Sequence, residues 1–198
     1  MKLLALETTD KIASVAYYCD GKIDSITLDS QLRHAETVLP SVDGLLEQNG
    51  TSIADMDAFC VDVGPGSFTG VRIGVTMANA FASATGKPVI GVNSLEALAY
   101  PARRDGSVCA VIIDANNGNG YAALYDAGKC LIEPCACVIE EFLQKLPKDC
   151  VMVGTGTSQK TLPDAQHVAL AALNKEGQKA VSPEYLRPSQ AERMWKGK

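Results

Sequence analysis

Ala58-Phe59-Cys60-Val61-Asp62-Val63, then Gly64-Pro65-Gly66-Ser67-Phe68-Thr69-Gly70, then Val71-Arg72-Ile73-Gly74 decides the fold class. The first six residues are apolar but for Asp62 and of strand length, so they read as a buried strand. The glycine-rich stretch is a turn, and a helix follows to about Thr85, where Gly86-Lys87-Pro88 stops it. Another short buried strand is expected at 89–92. Asn93-Ser94 with Glu96 then resembles a capping arrangement that opens a helix through Tyr100.

Upstream, residues 2–7, 12–19 and 22–28 read as three strands, the last two joined at the hairpin signal Asp20-Gly21. Ala35, Val38, Leu39, Val42, Leu45 and Leu46 then recur at helical spacing and fall within an arc of about 120°. Asn49-Gly50 closes that helix, and Pro40 can kink it. The order is βββαβαβα. Residues 101–106, with proline, glycine and charge, read as a loop and a domain boundary.

Downstream the order begins again. Strands are expected at 108–113, 121–125 and 130–133, a helix at 138–146, a strand at 150–153 and a short helix at 167–173. Two copies of βββαβα, the second clipped, predict a duplicated α/β fold with a cleft between its halves. The division expected is residues 1–102 for a first lobe and 103–198 for a smaller second lobe with a basic tail.

Composition narrows the class. With 198 residues, 46% of them apolar, the chain has material for a real core, and disorder or coiled coil is excluded. The longest charge-free apolar run, residues 73–86, is shorter than the roughly 18–20 residues of a spanning helix. Glu7 interrupts the first apolar stretch too early for a signal peptide. A soluble, cytoplasmic protein is expected. Its net charge of −5 is the wrong sign for gripping nucleic acid unaided, although Lys175, Lys179, Arg187, Arg193, Lys196 and Lys198 make the last segment locally basic. The seven cysteines are scattered through apolar runs, and Cys135 and Cys137 lack the partners of a zinc set. Reduced thiols and no metal are expected.

Candidate chemistry concentrates at the glycine turn. Its spacing is not the dinucleotide GxGxxG, and it lacks the lysine of a P-loop. A helix N-terminus there can still favour an anion, with Gly64, Gly66 and Gly70 freeing the backbone and Ser67, Thr69 and Arg72 as donors. The alternative is a tight turn whose glycines only permit close packing. The helix that follows carries two apolar stripes. Val71, Val75, Ala78 and Ala82 form one, and Ile73, Met77, Ala80, Phe81 and Ala84 form the other. A helix apolar on both sides needs cover on both, from this chain or from a partner.

Conventional catalytic sets are poor. His34 and His167 are the only histidines, Glu7 and Asp114 end strands, and Asp62 has no evident carboxylate mate. Neither HExxH nor GxSxG occurs. No catalytic residue is expected.

Arg33-His34-Ala35-Glu36, Leu39-Pro40, the turn with its Arg72-Ile73-Gly74, and Gly91-Val92-Asn93-Ser94-Leu95-Glu96-Ala97-Leu98 closely resemble the TsaB (YeaZ) family. So do residues 111–115, 121–125 and the tail from Tyr185 to Arg193. The resemblance implies an actin-like, sugar-kinase-like (ribonuclease H-like) duplicated fold. It also implies a non-catalytic subunit of the bacterial complex that adds a threonylcarbamoyl group to tRNA beside the anticodon. Its partners would be the catalytic paralogue TsaD, the ATPase TsaE and, through the complex, tRNA, with homodimers when alone and no membrane. No cofactor would be bound intrinsically, with ATP or ADP entering in the complex. The second stripe would be the partner face, so Met77→Glu or Phe81→Glu should block heterodimerisation.

The paralogue carries Asn-His-x-Glu-x-His where this chain has Asn93-Ser94-Leu95-Glu96-Ala97-Leu98. Leu98 cannot ligate a metal and Ser94 is a poor ligand, which disfavours the glycoprotease (metallopeptidase) label attached to that family. An ATP-dependent small-molecule kinase of the same fold is the rival. Asp114-Ala115-Asn116-Asn117-Gly118-Asn119-Gly120-Tyr121 departs from the family's usual Asp-Ala-Arg-Arg-Gly-Glu-Val-Tyr.

Overall fold

The computed structural model describes residues 1–28, 34–127, 129–158 and 160–187. The first half contains β1 (Lys2–Glu7), β2 (Ala13–Cys19), β3 (Lys22–Leu28), α1 (His34–Gln48), β4 (Ala58–Asp62), α2 (Phe68–Thr85) and β5 (Val89–Val92). Its sheet has the order β3-β2-β1-β4-β5, antiparallel through the meander and parallel from β1 onward. After α3 (Ser94–Arg104) come β6 (Cys109–Asp114), β7 (Asn119–Tyr125), β8 (Cys130–Val138), α4 (Ile139–Leu143), β9 (Val151–Val153) and α5 (Ala165–Ala172). The second sheet runs β8-β7-β6-β9, with β9 parallel to β6. It repeats the first sheet strand for strand and stops one strand short. The expected duplicated α/β fold is thus present in full in one half and clipped in the other.

Alternation along the central strands sorts the first sheet into two faces. Leu4, Leu6, Val15, Phe59 and Val61 pack under α1 and α2, against Val38, Val42, Leu45, Val71, Val75 and Ala78. Leu3, Ala5, Ala16, Cys60 and Val92 face the other way, under Ala97 of α3 and Ala165, Val168 and Ala169 of α5. Helix α3 turns a second side to the second sheet, where Leu95, Leu98 and Ala99 meet Cys109, Val111, Ile113, Ala123 and Tyr125. It is the joint between the lobes.

Several expectations need correction. On α1 only Val38, Val42, Leu45 and Leu46 are buried, while Ala35 is exposed and Leu39 is 44% exposed. Residues 101–104 are not a loop but the last turn of α3, which Pro101 tolerates near the helix end. Strand β8 runs through Pro134 and the CxC to Val138, because Pro134 sits where the β7–β8 register shifts. Helix α4 is correspondingly short. Nor does the chain respect a single cut at 102: α5 and the segment after it return to the first sheet. Arg33, Arg193, Lys196 and Lys198 lie outside the described residues.

Candidate functional site

The glycine turn packs directly onto the turn that follows β1. A Cβ on Gly70 would stand 1.9 Å from the carbonyl oxygen of Thr8, and one on Gly66 would stand 2.6 Å from that of Thr9. Thr8 Oγ1 donates to the Gly70 carbonyl at 2.7 Å, and the Ser67 amide donates to the Thr9 carbonyl at 2.6 Å. Ser67 caps α2 by accepting from the Gly70 amide at 3.3 Å. The Gly64 amide is taken by Asp62 at 2.8 Å. Close packing therefore accounts for Gly66 and Gly70, and the amides of Gly64, Ser67 and Gly70 are already engaged.

Between the lobes lies a cleft of about 470 Å³. Gly66, Ser67, Thr69 and Gly70 line it, as does Ile73 from the second stripe of α2. Beside them stand Thr9, Asp10 and Lys11 of the first turn, and the second lobe supplies Asp114, Asn116, Tyr121 and Thr155. Asn116 and Asn117 both have positive φ, 66° and 55°, and the Asn116 amide donates to Asp114 Oδ1 at 2.8 Å. Lys11 is the one cation among these lining residues, set against Asp10 and Asp114. Gly64 does not line the cleft. Arg72 does not either: its guanidinium lies 3.8 Å from the centre of the Phe68 ring and donates through Nε to the Tyr185 hydroxyl at 3.0 Å. Tyr185 in turn stacks on Phe68 at 4.7 Å.

The expected partner face of α2 is only partly free. Met77 and Phe81 are half-buried against the first core, and the Phe81 ring lies 5.6 Å from that of Phe59. Ile73 is half-buried beside the cleft, whereas Ala80 and Ala84 are exposed.

Below the cleft, the structure supplies the mate that Asp62 lacks in the sequence. Glu7 and Asp62 each stand one residue beyond the Leu6–Val61 pairing, on adjacent parallel strands, and both are fully buried. Glu7 Oε1 accepts from the amide and hydroxyl of Thr9 at 2.5 and 2.6 Å. Asp62 Oδ1 accepts from the Gly64 amide and from the Ser94 hydroxyl at 2.5 Å. Burial pushes both carboxyls well above the usual carboxylate range, and the charge of Asp62 adds to the effect on Glu7. The signal in the sequence was two apolar strands each ending in an acid. Only the knowledge that they are neighbours makes it a pair.

The two positions where the resemblance implies histidines in the paralogue have other work. Ser94 is committed to Asp62, and Leu98, 2% exposed, sits in the core between the lobes. Burial lowers the pKa of His167, with Asp164 opposing the shift, and the side chain of His34 lies outside the described residues. Among the described residues no three His, Cys, Asp or Glu side chains cluster to hold a metal.

A family model described as TsaD, tRNA N6-adenosine threonylcarbamoyltransferase, matches residues 28–171. The tRNA threonylcarbamoyladenosine biosynthesis protein TsaB of Escherichia coli K12 is 34% identical, over 79% of this chain and 72% of that one. The protein of that name in Bacillus subtilis 168 is 30% identical, over 98% of both. Among solved structures, an uncharacterized Pseudomonas aeruginosa protein with similarity to peptidase YeaZ superposes with a TM-score of 0.82 at 27% identity, covering 94% of this chain and 99% of that one. YeaZ from P. aeruginosa gives 0.73 at 26%, covering 86% and 90%.

Proposed function

This chain belongs to the TsaB family, in tRNA threonylcarbamoyladenosine biosynthesis, and from that premise we propose that it is a non-catalytic subunit of the threonylcarbamoyl-transferring complex. The observation that carries the proposal is the fate of two positions. Where the catalytic paralogue has its paired histidines, Ser94 donates to a buried carboxylate and Leu98 fills the joint between lobes. A metal pair cannot be restored there without dismantling the core.

The subunit acts by docking the exposed face of α2 onto the catalytic paralogue TsaD and shifting it toward its competent state. TsaE and tRNA join through that complex, and the isolated chain uses the same face to homodimerise. ATP or ADP reaches the interlobe cleft only in the complex. Among the described lining residues Lys11 alone faces two carboxylates, so phosphate binding there needs cationic help from beyond this lining. The setting is the cytoplasm; no helix among the described residues is long and apolar enough to cross a membrane.

Reconstituted threonylcarbamoyl transfer to tRNA, with TsaD, TsaE and the activated donor, tests the proposal. Activity should require this chain and be absent from it alone. Full activity without the chain overturns the role. Dependence on the chain that survives loss of binding to TsaD overturns the docking mechanism.

A further inference from the structure

Glu7 and Asp62 are a buried acid pair, and neither forms an ion pair with a described residue. Each has one oxygen satisfied, while Glu7 Oε2 and Asp62 Oδ2 are buried without a hydrogen-bond partner. Among the described residues, the charged groups that act most on the two carboxyls are acidic. From the β1 turn Asp10 acts on Glu7, and from the segment after α5 Glu184 acts on Asp62, both acidic. β2 presents Ser14, whose hydroxyl accepts from the Ala165 amide at the start of α5, and α3 presents Ser94. The ionisable groups at the start of α5 are Asp164 and His167, whose pKa burial lowers. Two carboxylates side by side in such a medium cannot both ionise near neutral pH.

We propose that Glu7 and Asp62 hold one proton between them near neutral pH, and that its loss on alkalinisation loosens the turns lining the cleft. The pair ties those turns together. Glu7 holds Thr9, whose carbonyl receives the Ser67 amide, while Asp62 holds Gly64 and the first residue of α3. Losing the proton, which passes to solvent, sets two buried negative charges against each other at the point where the two turns meet. The cleft floor is thus built on a group that titrates, independently of any partner.

The sign follows from linkage. An unfolded Glu or Asp titrates near pH 4, and the folded pair titrates higher, with Glu7 at about 8. The folded chain therefore holds the extra proton between those limits. Its contribution to stability is complete below the unfolded value and is lost as pH rises through the folded one, with the folding equilibrium falling about tenfold per pH unit for one proton.

Thermal unfolding of the full chain and of Glu7→Gln between pH 5 and 9 tests this. The wild type should lose stability relative to the variant by up to about tenfold in folding equilibrium per pH unit. Parallel profiles overturn the proposal. Should Glu7→Gln not fold, Asp62→Asn takes its place, and infrared spectroscopy of the wild type reads the proton directly. A protonated carboxyl band persisting at pH 7 and disappearing by pH 9 is expected. Its absence at pH 7 or its persistence above pH 9 overturns the titrating shared proton, and its disappearance by pH 9 with unchanged amide exchange at Ser67 and Gly64 overturns the loosening.

Discussion

Gly70 and Gly44 show that the same residue type carries opposite consequences. Gly70→Ala places a methyl 1.9 Å from a backbone oxygen that cannot move without breaking the Thr8–Gly70 bond. Overpacking of this kind costs about 1–3 kcal/mol, so the midpoint of thermal unfolding should fall by roughly 3–10 °C. Gly44 lies inside α1, and a Cβ there meets nothing within 4 Å. Gly44→Ala should stabilise by about 0.5–1 kcal/mol, through the helical preference of alanine. A Gly70→Ala chain as stable as the wild type would sink the close-approach account. At this scale the sequence was legible in kind rather than in direction. Glycine spacing marked the turn, but Arg72, an apparent anion donor, is turned onto Phe68 by a tyrosine 113 residues away. The partnership of Glu7 with Asp62, also far apart in sequence, was hidden for the same reason.

Helices and strands were more legible because their signal is local. The hydrophobic period placed α1 and the central strands to within a residue or two of their ends, but α2 begins at Phe68, three residues inside the expected glycine turn. It failed where tertiary pairing outvotes local pattern, as in β8, which continues through Pro134 because β7 offers it a ladder. Period also cannot say how much of a face stays open. Phe81 looked like a partner residue and is half core, so Phe81→Glu confounds folding with docking. Ala80→Glu and Ala84→Glu test the face cleanly, since both sites are exposed. Each should leave the thermal midpoint within about 2 °C, as surface changes usually stay within ±0.5 kcal/mol. Together they should abolish self-association in sedimentation and capture of TsaD. Retained binding by the double variant would move the interface off this helix.

For the whole molecule, the question is what couples the two lobes, and two devices compete. One is a strap after α5. Gln178 pairs with Val89, Val181 exchanges two hydrogen bonds with Asn79, and Glu184 meets Val63 and Asn93, all on the first lobe. Arg187 then reaches the second lobe, donating to Asn119 and to the Cys137 carbonyl. The other device is the α3 joint, where Leu95 and Leu98 are buried against the second sheet. Duplication was readable from element order, but neither coupling device was, since both depend on how the halves are set against each other. Magnitudes decide between them. A buried leucine contributes roughly 1.5–3 kcal/mol by area alone, and truncating one in a core costs about 2–5 kcal/mol. Two hydrogen bonds from a half-exposed arginine contribute about 1–3 kcal/mol together and fail locally. Leu98→Ala should therefore lower the midpoint by roughly 5–15 °C and split one calorimetric transition into two as the lobes lose their joint. Arg187→Ala should keep a single transition and raise amide exchange only at the end of the strap and at its contact with β7 and β8. A split melt in Arg187→Ala, with a single one in Leu98→Ala, would reverse the assignment. The expected pattern would mean that Leu98, at a position where the resemblance implies a metal ligand in the catalytic paralogue, serves in this chain to hold its two lobes together.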